Sequence, residues 1–162
     1  MSAEDAIDIE AKIQKMGLVL PEPMPAQLPF PWVRVHGNRA YVSGHAPQNP
    51  DGSLADPLGK VGDDLTVEQA AKQARRVGLS ILGSLKRELG DLNRVSAWLR
   101  AFGMVNSAPG FNRQPEVING FTNLIHEIWG PGRGAHSRSA VGMAELPFNI
   151  PVEIEAEVEI DG

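Results

Sequence analysis

Hydrophobic positions recur along the chain with two different periods. From Thr66 to Leu89, the residues Ala70, Ala74, Val77, Ile81 and Leu85 mark the buried stripe of a helix. Thr66-Val67-Glu68-Gln69 fits a capping box ahead of it, and Gly90 a stop behind it. A second stripe, Val117, Phe121, Leu124, Ile125 and Ile128, predicts a helix within Phe111 to Ile128. Pro115 suits its first turn, and Gly130-Pro131-Gly132 closes it. Between these helices, residues 94–106 alternate with the period of a strand. Val95, Ala97, Leu99, Ala101, Gly103 and Val105 share one face; Trp98, Phe102 and Met104, interrupted by Arg100, share the other. A strand apolar on both faces needs cover on both. Helices on one side of a sheet cover one face, so the second calls for another subunit.

The remaining segments complete the pattern. Residues 3–16 read as a helix with Ser2 as N-cap, Glu4 and Asp5 at its positive end, a stripe of Ile9, Ile13 and Met16, and Gly17 as its stop. Pro21, Pro23, Pro25, Pro29 and Pro31 then make an extended connector. Residues 32–36 and 39–44 form a hairpin around Gly37-Asn38. His45 to Gly62 is a loop, long enough to suggest a functional role. The closing strands fall near 138–145 and 151–160. In the last, Val152, Ile154, Ala156, Val158 and Ile160 face in and four glutamates face out. The order helix, two strands, helix, strand, helix, two strands predicts an α+β fold: a single mixed β-sheet with two main helices on one face, preceded by an extra N-terminal helix. Residues 1–27 read as that helix and connector, and 28–162 as the domain proper.

Composition narrows the chemistry. The 162 residues suffice for one domain with its own core. A formal net charge of -5 argues against a broad phosphate-binding surface and makes nucleic acid an unlikely partner. The chain has no cysteine, which removes thiolate catalysis, disulfides and Cys-ligated metals. The acidic start Met1-Ser2-Ala3-Glu4-Asp5 is unlike a secretory signal, and no apolar run is long enough to span a bilayer. A cytoplasmic protein with no membrane partner is expected.

Arg138 begins an otherwise small and apolar strand, and Glu153 lies near the start of the next. Arginine grips a planar carboxylate through two parallel charge-assisted hydrogen bonds, and a nearby glutamate can activate water. If the two strands are adjacent, Glu153 stands across from Arg138; the loop Gly132-Arg133-Gly134 adds a second cation. The plainer readings are a strand-end arginine and an alternating carboxylate face that discourages edge pairing. His36, His45, His126 and His136 show no metal-ligand spacing, and no phosphate-loop, dinucleotide or nucleophile-elbow motif occurs. Ser43-Gly44 after a strand is a tight turn or a place where ligand approaches backbone. Trp98-Leu99-Arg100-Ala101-Phe102 reads as a subunit interface in preference to a base-stacking platform.

Several stretches together resemble the RidA/YjgF family, also called L-PSP, in its longer YjgF-like branch. They are Gly37-Asn38 to Tyr41-Val42-Ser43-Gly44-His45-Ala46-Pro47, the helix Gln69 to Leu85, Gly90-Asp91-Leu92, and above all Arg138-Ser139-Ala140, Ala144-Glu145-Leu146-Pro147 and Val152-Glu153-Ile154-Glu155-Ala156. The resemblance implies a chorismate-mutase-like fold and a homotrimer with sites in clefts between subunits. It implies cofactor-free and metal-free hydrolysis of reactive enamines and imines to 2-oxo acids and ammonia. By the same resemblance Arg138 binds the substrate carboxylate and Glu153 activates water. Gly44 offers its carbonyl to the substrate nitrogen, and Ala140 a backbone N–H. Phe30 stands where the family has a tyrosine, His45 where glutamine is common, and His136 where a proline precedes the arginine. Two alternatives remain: a non-catalytic trimer binding small carboxylates, and the endoribonuclease label that some members carry.

Overall fold

The computed structural model describes residues 2–3 and 7–162. Its elements are α1 (Ile9–Lys15), β1 (Val33–His36), β2 (Arg39–His45), α2 (Val67–Leu89), β3 (Val95–Asn106), α3 (Gln114–Arg133), β4 (Ser137–Met143) and β5 (Val152–Ile160). One five-stranded sheet runs in the order β1-β2-β5-β3-β4. Only the β3–β4 pair is parallel. Helices α2 and α3 cover one face, and the α+β mixed sheet is as the sequence predicts. No helix among the described residues is long and apolar enough to cross a membrane.

The long helices form for the reasons visible in their sequences. Thr66 accepts the backbone N–H of Gln69 and the Gln69 side chain accepts that of Thr66, closing the capping box of α2. Ala70, Ala74, Val77, Ile81 and Leu85 are all fully buried. Regular α3 ends at Gly130, whose φ of 84° breaks the helix before Pro131. The two helices cross with almost no clearance: a Cβ added at Gly120 would lie 2.0 Å from the Ala71 carbonyl oxygen.

Three expectations change. The N-terminal helix is shorter than 3–16: Asp8 caps it by accepting the Ala11 N–H, Ser2 lies outside it, and Glu4 and Asp5 lie outside the described residues. The apolar faces of β3 are also redistributed. Register shifts occur between Val95 and Ala97 and between Trp98 and Arg100. A bulge reverses the facing of residues beyond it. Trp98 therefore turns into the core, 1% exposed, edge-on to Phe121 and Trp129. It is a core residue of the protomer, not an interface residue. Phe102 and Met104 do face away from the helices, joining a separate apolar cluster with Ala46 and Ile150. Third, β4 and β5 are not neighbours. The crossover places β4 at the sheet edge with β3 between the two.

Candidate functional site

Arg138 pairs with Ala101 in the β3–β4 ladder, and Ala101 with Ala156 of β5. Its side chain turns to the helical face, where α3 holds it. Nη1 donates to Asn119 Oδ1 at 2.8 Å and Thr122 Oγ1 at 3.1 Å, and Nη2 donates to the Pro115 carbonyl at 3.3 Å. A guanidinium has five N–H donors. Nε–H and one Nη2–H thus keep no partner among the described residues, so the guanidinium retains donors for a carboxylate.

The Arg138 anchor is itself backed. Thr122 Oγ1 lies 3.0 Å from His136 Nε2, and His136 Nδ1 lies 2.7 Å from the Gly134 carbonyl. The carbonyl can only accept, so Nδ1 carries the proton and Nε2 accepts from Thr122. Burial is the main cause holding the His136 pKa below its ordinary value, which favours this neutral form. Asn119, Thr122, His126, His136 and Arg138 line one recess of about 350 Å³. Ala140, two residues along β4, shares the Arg138 face at the sheet edge. Arg133 does not add a second cation here: Nε donates to the Ser96 carbonyl and Nη2 to that of Val95.

Glu153 belongs to a different recess. Its neighbours in β5, Val152 and Ile154, are wholly buried, and it pairs with Met104 on the face away from the helices. Its carboxylate reaches Gly44. A Cβ there would lie 2.3 Å from Glu153 Oε2, so glycine is what lets carboxylate and backbone meet. Gly44 sits where the β2–β5 register slips between Val42 and His45. Burial, with Glu155 adding like-charge repulsion, pushes the Glu153 pKa up.

His45 closes the floor of this recess. It is 2% exposed, with Nδ1 2.5 Å from the Ser43 carbonyl and Nε2 2.7 Å from Ser84 Oγ. Arg87 Nη2 donates to the same Ser84 oxygen at 3.3 Å. Desolvation lowers the His45 pKa to about 4, so at neutral pH it is uncharged with its proton on Nδ1. Trp32 lies against its ring at 4.7 Å, and Phe30 stands edge-on to Trp32. Gly44, His45, Phe30 and Glu153 line one cavity of about 320 Å³.

The six sequence-predicted positions thus form two groups. Gly44, His45, Phe30 and Glu153 come together; Arg138 and Ala140 come together elsewhere. The expected contact of Arg138 and Glu153 across adjacent strands does not occur within the chain. They lie on opposite faces, their Cα positions about 14 Å apart from strand spacing and rise. Asn119 and Thr122, which hold Arg138, and Ser84 and Arg87, which hold His45, escaped the sequence reading. Asn119 and Thr122 do stand three apart on the polar flank of α3, but that signal has meaning only once β4 is known to abut it.

Comparison with known proteins places these features in a wider group. Residues 24–160 match the profile of the family described as Endoribonuclease L-PSP. Protein TCP17 of Trypanosoma cruzi is 35% identical over 153 residues, covering 94% of each chain. A crystal structure of a protein of unknown function from Agrobacterium tumefaciens is 40% identical and superposes with a TM-score of 0.85, covering 95% of this chain and 94% of that one. A candidate endoribonuclease from Shewanella oneidensis is 27% identical with a TM-score of 0.88, covering 95% and 100%.

Proposed function

The chain belongs to the L-PSP (RidA/YjgF) family, and from that premise we propose that it hydrolyses reactive enamine or imine intermediates to 2-oxo acids and ammonia. We further propose that it works as a homotrimer in which Arg138 and Ala140 of one subunit complete the Gly44–Glu153 recess of the next. The observation that carries this reading is the division of one functional set into two well-built halves. Arg138 is fixed in place with N–H donors left over. Glu153 is a half-buried carboxylate of raised pKa against the Gly44 backbone. Neither half is a complete site.

The chemistry asks little beyond placement. Arg138 takes the substrate carboxylate bidentately, and the Gly44 carbonyl accepts the imine N–H. Glu153 takes a proton from water as the water oxygen bonds to the imine carbon and returns it to the nitrogen, giving a carbinolamine. Glu153 then takes the carbinolamine hydroxyl proton and passes it to the same nitrogen, so that the C–N bond breaks and ammonia leaves as the C=O forms. A carboxyl pKa shifted toward neutrality suits a group that must both accept and return a proton. Phe30 offers an apolar ring at the rim, and His45 fixes the strand beneath Gly44.

RNA cleavage has one observation in its favour. His126 and His136, ring centroids 5.8 Å apart, share the Arg138 recess. Both nitrogens of His136 are already bonded, however, and the net charge of -5 offers little to a polyanion. The purified protein should speed ammonia release from imines made in situ by an amino-acid oxidase, and Arg138→Lys should reduce that rate at least ~10-fold, because an ammonium lacks the planar fork. RNA cleavage abolished by Arg138→Ala, with no effect on imines, would reverse the assignment.

A further inference from the structure

The cavity above Glu153 is much more apolar than a small imino acid requires. The connector supplies one wall with Met24, Ala26 and Leu28, continued by Phe30 and Trp32. Phe148 and Ile150, just before β5, supply the other. Phe148 is 73% exposed and Leu28 and Phe30 are also exposed, a cluster of bare apolar surface at the mouth of the recess. Its volume of about 320 Å³ is at the small end for organic-ligand sites.

The connector is held in place to make this wall. Arg87 Nη1 donates to the Pro21 carbonyl at 3.0 Å, the Glu22 N–H donates to the Pro50 carbonyl at 2.9 Å, and Gln48 Nε2 reaches the Glu22 carbonyl at 3.4 Å. These bonds fix the chain immediately before Met24. Polar side chains in the lining are restricted to His45 and Glu153, and both nitrogens of His45 are bonded.

We infer that this cavity is the subsite for the substrate side chain, and that the preferred substrates are 2-imino acids with large apolar side chains of the leucine, methionine or phenylalanine type. The inference rests on the imine-hydrolase reading and adds the substrate class to it. A bulky apolar group would displace water from Leu28, Phe30, Phe148 and Ile150. A methyl group leaves that surface wet, and a charged side chain would meet apolar walls and the Glu153 carboxylate.

The test compares imines generated by an amino-acid oxidase from alanine, leucine, methionine and glutamate. The leucine and methionine products should show kcat/KM at least ~10-fold above the alanine product, the discrimination typical of a hydrophobic pocket. The glutamate product should rank last. Leu28→Asp, at an exposed position, should shrink the leucine-to-alanine ratio at least ~10-fold, and Leu28→Met should restore it. Equal or reversed ranking with measurable turnover overturns the subsite and leaves the hydrolase standing. If no imine turns over, the hydrolase reading fails and calorimetry decides the subsite: 4-methyl-2-oxopentanoate binding more tightly than pyruvate supports it, and equal or weaker binding overturns it. Dissociation of the assembly by Leu28→Asp would also overturn it, because the cavity would then be filled by a second copy of the chain.

Discussion

Glu153 carries a carboxylate where its surroundings favour the neutral acid. Burial is the larger cause and Glu155 the second, and the folded pKa stands above the ordinary 4.5. The native state therefore keeps a proton that the unfolded chain has released. The stability this gives is complete below pH 4.5 and is lost as pH rises through the raised native value. Glu153→Gln has no such loss. Its melting temperature should match the wild type near pH 4 and exceed it at pH 8, while imine turnover falls. Melting curves that stay parallel from pH 4 to pH 8 would mean that the carboxyl is not perturbed. At this scale the sequence was informative: Gly44, Phe30, His45 and Glu153 do share a cavity. The residues that hold them were not legible, because Ser84 and His45 are 39 positions apart and no local pattern links them.

At the scale of elements, legibility followed the range of the forces. Capping boxes, glycine stops and 3.6-residue stripes are local, and α2 and α3 appeared where those signals placed them. The bulges in β3 arise from pairing with β5, more than fifty residues later in the chain, and a period-two count along one strand cannot contain them. That is why the period-two count puts Trp98 on the wrong face. The order of β4 and β5 is hidden for the same reason, since a short connection suggests a hairpin whereas the partner of β4 is β3. The packing of α2 on α3 supports a direct prediction. Gly120→Ala would put a Cβ against the Ala71 carbonyl, a backbone atom that cannot rotate away. Overpacking of this kind costs about 1–3 kcal/mol, and each kcal/mol lowers the melting temperature about 2–4 °C at this chain length. A melting temperature equal to wild type would show that the helices do not approach so closely.

At the scale of the whole molecule, one face of the sheet carries no α-helix among the described residues. Phe102 and Met104 lie on it with Glu153 and Glu155, and Tyr41, Arg100, Glu155 and Glu157 line a recess there. The proposed trimer covers this face and unites the two halves of the site, which the protomer keeps on opposite sides of its sheet. The claim that both halves serve one reaction is tested most directly by subunit complementation. Arg138→Ala and Glu153→Gln should each be inactive alone toward imines. Unfolded together in equal amounts and refolded into mixed assemblies, they should regain about one quarter of the wild-type rate, because ~1 in 4 sites then pairs an intact Arg138 with an intact Glu153 from a neighbouring subunit. A mixture that stays inactive, although mass measurement shows both chains in the same assembly, would contradict the shared site.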